Sequence, residues 1–169
     1  LPGDRARITE AVDRVRDRVR AAADEATENA RIRTALDNAG TAVRIADDAG
    51  RIVYVNEAMK GTLRTIEPAL AQRHPGFRAD AIVGQSAGVF YDDAAAALRR
   101  LAALDKSVST ELTIGGRQFR VSTAPIFAND GTRLGTIGEW VDRTDELIVL
   151  EREREVASEN LRVRHALDN

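Results

Sequence analysis

Residues 108–144 read VSTELTIGGRQFRVSTAPIFANDGTRLGTIGEWVDRT. Two turn signals divide them into three strand-like runs. Gly115-Gly116 follows the run 108–114, and Asn129-Asp130-Gly131 follows the run 117–127. Both signals supply the positive φ angles that tight hairpins need. A third run, 133–141, ends in Asp142-Arg143-Thr144. In the middle run Phe119, Val121 and Thr123 alternate with Gln118, Arg120 and Ser122, which predicts one covered face and one polar face. The stretch is therefore read as a three-stranded antiparallel meander. Its last strand runs straight into a charged helix.

Before the meander the same logic gives the remaining elements. Residues 41–46 and 51–55 read as two short strands around the turn Asp47-Asp48-Ala49-Gly50. Asn56 is a natural N-cap for a short helix through Leu63. Residues 66–78 read as broken helix, interrupted by Pro68 and by His74-Pro75-Gly76. Residues 81–91 are short and irregular, and Asp92-Asp93 caps a helix from Ala94 to about Leu104.

Charged helices flank this core. In residues 4–38, Ile8, Val12, Val15, Val19, Ala22 and Ala26 are spaced by alternating fours and threes. So narrow a seam needs a partner helix, most simply its copy in a second chain, side by side and in register. Residues 145–169 carry Leu147, Leu150, Val156, Leu161 and Val163 among many charges. Residues 28–38 (ENARIRTALDN) recur at 159–169 as ENLRVRHALDN. That repeat predicts a second copy of the domain following the first, and an organisation of 1–38 as leading helix, 39–144 as domain and 145–169 as outgoing helix. Leu1 is not a natural start, so the sequence reads as a piece of a longer protein.

Composition narrows the function classes. With 25 basic against 27 acidic residues the net charge is −2, and the arginines are interleaved with acids, so no nucleic-acid surface is expected. The absence of cysteine removes disulfides, thiolate metal sites and cysteine nucleophiles, and it suits a reducing, cytoplasmic setting. No apolar run is long enough to span a bilayer, although a parent receptor anchored elsewhere is compatible with that. With two histidines, no Ser/His/Asp or metal-ligand cluster can be assembled, and an enzyme is not expected. Gly131, Gly135 and Gly138 lie on a hairpin and its strand, not before a helix, so they form no dinucleotide fingerprint; Gly138 instead makes room on a concave face. His165 lacks the Glu or Asp and the Pro that follow a phosphoacceptor histidine, and the repeat places Thr34 at its equivalent.

Two strands, small helices, a longer helix and a meander make up the element order of PAS domains. The wording at Val43-Arg44-Ile45-Ala46-Asp47, Ile52-Val53-Tyr54-Val55-Asn56, Ile82-Val83-Gly84, Pro125-Ile126-Phe127 and Glu139-Trp140-Val141-Asp142-Arg143-Thr144 resembles PAS domains of bacterial methyl-accepting chemotaxis receptors. The resemblance implies an α+β PAS fold, a five-stranded antiparallel sheet with small helices closing a pocket, flanked here by long coiled-coil helices. It implies a cytoplasmic sensory module that signals through the Asp-x-Thr junction, Asp142 and Thr144, to a dimeric coiled coil and on to an adjacent PAS or signalling domain. Related soluble aerotaxis receptors hold b-type haem, with a histidine after a Phe as ligand and a Trp over the distal side. Trp140 matches the Trp. Phe90 is followed by Tyr91 instead of the ligand histidine, with no cation adjacent in sequence, and His74 is the only histidine within the domain. The candidate cofactor is haem b, or none. Each of these residues also has a plainer use: Trp140 as core, Tyr91 as a structural residue at a helix start, His74 in an exposed turn. Two other functions fit the same order of elements: a ligand-free dimerisation or spacer module, and a PAS regulator of a histidine kinase or cyclic-dinucleotide enzyme.

Overall fold

A computed structural model of the chain describes residues 2–168. Ile8, the first seam position, lies outside the residues whose side chains are described, as does Asn169 at the end of the repeat. The chain divides at residues 39 and 40 into two compact units. The first is a single helix, α1 (Pro2–Asn38). Along it Val12, Val15 and Val19 stand 59, 60 and 63% exposed, so the apolar seam is uncovered in the single chain.

The second unit holds the sheet. Gly115 and Gly116 adopt φ angles of +60° and +77°, and the hairpin they close joins β3 (Val108–Ile114) to β4 (Arg117–Phe127) in unbroken register. Gly131, at φ +87°, serves the next turn into β5 (Arg133–Asp142). The expected faces of β4 hold: Phe119, Val121 and Thr123 are buried, while Gln118 and Arg120 are exposed. β1 (Ala42–Asp47) and β2 (Ile52–Val55) form the other hairpin. The sheet closes by pairing the first strand with the last, in the order β2-β1-β5-β4-β3, every pairing antiparallel.

Helices cover the concave face. α2 runs from Glu57 to Arg73 without a break at Pro68, contrary to the short helix and broken segment expected from the sequence. The reason is positional. Met59, Leu63, Ile66 and Leu70 form one buried stripe, whereas Pro68 and Arg64, whose carbonyl the proline leaves unpaired, face water. Continuous burial along the stripe offsets the cost of a proline whose orphaned carbonyl is solvated. Two short 3₁₀ turns (Ala79–Ala81 and Ala87–Phe90) lead to α3 (Ala94–Ala102), capped by the Asp93 side chain on the Ala96 N–H. The outgoing helix α4 (Thr144–Asp168) begins one residue ahead of the bound read from the sequence, with Asp142 and Thr144 building its first turn.

Candidate functional site

Antiparallel partners share a sheet face, so the register defines the floor of the cup. Ala42, Arg44 and Ala46 of β1 stand opposite Trp140, Gly138 and Thr136 of β5, and Val121 and Thr123 of β4 stand opposite Trp140 and Gly138. Trp140 is 3% exposed. Its ring meets Phe90 edge-on at a centroid distance of 4.8 Å and Phe119 at 5.4 Å, geometries that aromatic quadrupoles favour. Its indole Nε1–H is buried without a partner.

Arg44 is the residue the sequence reading passed over. It is 1% exposed, at the centre of the cup floor. Nη1 donates to Thr136 Oγ1 at 3.0 Å, while Nη2 is buried without a partner. A Cβ on Gly138 would come within 3.1 Å of Arg44 Nε, so the room Gly138 makes on the concave face is taken up by a guanidinium. Burial pulls the Arg44 pKa below the ordinary arginine value, and the nearby Tyr91 oxygen acts in the opposite direction.

The other sequence candidates lie around this centre. Phe90 is fully buried against Trp140. Tyr91 is half-buried and borders a surface groove shared with Arg73, Asp92, Arg100 and Glu111. The Arg100 guanidinium sits 5.7 Å from the Tyr91 ring centroid, so tertiary packing supplies cations that adjacency in sequence does not. His74 Nε2 lies 3.1 Å from the Val89 carbonyl oxygen, which fixes it at the C-terminal end of α2.

These residues do not fit haem. The Trp140 ring on β5, the match to the distal Trp of the haem-binding relatives, is packed against Phe90 and Phe119. His74 is engaged with Val89, Tyr91 faces a surface groove, and an unpaired guanidinium occupies the floor.

The junction is a dense polar node. Asp142 Oδ1 accepts from Thr144 N at 2.9 Å and from Thr144 Oγ1 at 2.6 Å. Asp142 Oδ2 accepts from Arg117 Nε at 2.6 Å. Thr144 Oγ1 in turn accepts from the Gln118 N–H of β4, and Gln118 O accepts from Arg143 N. Arg143 reaches Glu146 on α4 and Glu111 on β3. So β3, β4, β5 and α4 meet here. Arg117 and Glu111, which sequence reading missed, are as much part of the node as Asp142 and Thr144. Their signal was weak, since a charged residue beside a hairpin is ordinary.

Burial alone would raise the Asp142 pKa, but the hydrogen bonds from Thr144 and Arg117 outweigh it and hold the carboxyl below its ordinary value of 3.8. The sign follows from linkage: a carboxylate depressed in the folded state stabilises fully above its unfolded pKa, and that contribution disappears as pH falls through the folded value. Wild-type chain is therefore expected to lose more thermal stability than Asp142→Asn between about pH 5 and pH 2. Melting curves across that range check this; parallel curves would mean that the Asp142 bonds contribute nothing.

An antiparallel five-stranded sheet whose first and last strands pair, with helices over its concave face and an Asp-x-Thr exit into a helix, is the architecture of a PAS sensor. Residues 36–147 match the PAS fold family, and the chain belongs to it. It is 39% identical over 153 residues to the methyl-accepting chemotaxis protein McpB of Pseudomonas aeruginosa, covering 86% of this chain and 22% of that protein. Among solved structures it is similar to the Aer2 receptor of Vibrio cholerae, described as a dual PAS-haem oxygen sensor, at a TM-score of 0.55 and 27% identity over 60% of this chain and 93% of that one. The PAS domain of Bordetella pertussis BvgS shares the fold at a TM-score of 0.51 and 24% identity, over 79% of this chain and 98% of that one. No helix among the described residues is long and apolar enough to cross a membrane.

Proposed function

We propose that this chain is a cytoplasmic, non-enzymatic sensory and relay module of a chemotaxis-type receptor. A change at the cup shifts β5, the strand carrying Trp140, and the Asp142–Thr144 node passes that shift to α4. One observation carries the reading: Asp142 and Thr144 bind each other, Arg117 and the backbone of Gln118 at once, so the end of β5 and the start of α4 share one set of hydrogen bonds. The similarity to a methyl-accepting chemotaxis protein supports a chemotaxis output over a histidine kinase or a cyclic-dinucleotide enzyme. The exposed valines of α1, with Val149, Val156 and Val163 of α4, suit pairing with a second copy of the chain. The recurrence of 28–38 at 159–169 suits a further PAS unit next in line.

Asp142→Ala and Thr144→Ala in the full receptor test this. Each is expected to abolish or lock the signalling response, because coupling needs only about 1–3 kcal/mol of bias between two helix packings. The fold should persist, since the node is at the surface. An unaltered response from both variants would remove the junction route. The packing of Phe90 and Phe119 against Trp140 favours a second reading, a ligand-free dimerisation module, in which the variants act but no ligand does.

A further inference from the structure

Arginine keeps its charge in proteins, and a buried charge is costly unless it is paired. No acidic side chain among the described residues pairs with Arg44, and its Nη2 has no acceptor. Tyr91 lies near enough for its oxygen to act on the guanidinium, yet no hydrogen bond joins them. A further unpartnered donor, Trp140 Nε1, belongs to the next residue along the same face: Arg44 opposes Gly138, and Trp140 is two residues beyond Gly138 on β5. Two buried N–H donors thus share a cup whose floor holds one uncompensated positive charge.

We propose that the cup binds a small monocarboxylate with an apolar body, its carboxylate on Arg44 Nη2 and Trp140 Nε1. One charge asks for a monoanion; a phosphate dianion would call for a second cation. Arg133, the arginine of β5, spends both Nη1 and Nη2 on the carbonyls of Leu104 and Leu101, which leaves its buried Nε as the one free donor. The Phe90 and Phe119 rings offer the apolar body its surface. Thr136, which accepts from Arg44, also borders a cleft of about 250 Å³ between the β1–β2 turn and α3, and the ligand would enter from there. Asp47 borders the same cleft, but its Oδ1 accepts from the Ala49 and Arg51 N–H groups.

This inference rests on the reading of the domain as a sensory module, and it is tested on the 169-residue chain itself. Sodium acetate, butyrate and benzoate are titrated against the chain by calorimetry and thermal melting, with sodium chloride at matched ionic strength and benzamide as the neutral counterpart. At least one carboxylate is expected to raise the melting temperature by several degrees, while chloride and benzamide do not. In Arg44→Met the response should vanish with no loss of basal stability, because an unpaired buried charge is replaced by an apolar chain of similar length. Trp140→Phe keeps the ring but not the donor, and should weaken binding about tenfold. A melting temperature indifferent to all three acids, or raised equally by chloride, overturns the proposal; so does Arg44→Met melting well below wild type without any carboxylate response, which would make Arg44 a structural residue. A silent titration alongside an Asp142-dependent signal sinks the ligand and leaves the relay. Binding with an Asp142→Ala receptor that signals normally does the reverse.

Discussion

Gly135→Ala should cost about 3–5 kcal/mol of stability, a large share of what a domain of this size has. Two separate effects add. Gly135 has φ +149°, a conformation L-residues rarely adopt, at about 1–3 kcal/mol. A Cβ there would also lie 1.9 Å from the Ala46 carbonyl oxygen and 2.9 Å from Asp47 Cα, both backbone atoms that no rotamer change can move. Relief requires β1 and β5 to part where they form the middle of the sheet, at about 1–3 kcal/mol or more. Gly131→Ala is the internal control. Gly131 also has positive φ, at +87°, but nothing lies within 4 Å of its Cβ position, so only the conformational cost of about 1 kcal/mol should appear. Urea denaturation of both variants separates the two effects. Equal midpoints would show that the β1–β5 approach at Gly135 is not tight.

Asn56→Ala is expected to cost about 3–4 kcal/mol, well above an ordinary cap. Asn56 is fully buried. Oδ1 accepts from Met59 N at 3.0 Å, the capping bond, and also from Val43 N at 2.9 Å. Nδ2 donates to the Thr41 carbonyl at 2.8 Å. One side chain therefore caps α2 and ties it to the start of β1. Loss of the cap costs about 1 kcal/mol, and a backbone N–H and C=O left without partners add about 1–3 kcal/mol each at full burial, less where Thr41 is partly exposed. A loss of only about 1 kcal/mol by urea denaturation would mean that water replaces the β1 bonds and Asn56 is simply a cap.

Much of this was legible along the chain. The hairpins at Gly115-Gly116 and Asn129-Asp130-Gly131, the faces of β4, the caps Asn56 and Asp93 and the strand-to-helix exit at Asp142-Arg143-Thr144 depend on residues within a few positions of one another. Local chemistry is sufficient there: φ freedom, side-chain alternation and orphaned N–H groups act at short range. Local signals failed where a distant neighbour decides. Pro68 reads as a break, yet the buried stripe of α2 carries the helix through it. Between Val43 and Ile45, alternation points Arg44 to water. The pairing of β1 with β5, residues some ninety positions apart, turns it into the cup and seats it over Gly138. Nothing near Asp142 in sequence names Arg117 as its partner; the β4–β5 register does.

The sequence by itself determined the order of elements, the turns, the caps and membership of the PAS family, because these rest on local residue patterns. The tertiary structure alone decided which side chains share the cup. Burial of a charge, contact of three aromatic rings and the spare hydrogen bonds of Arg44 and Trp140 arise only when strands far apart in the chain are set side by side.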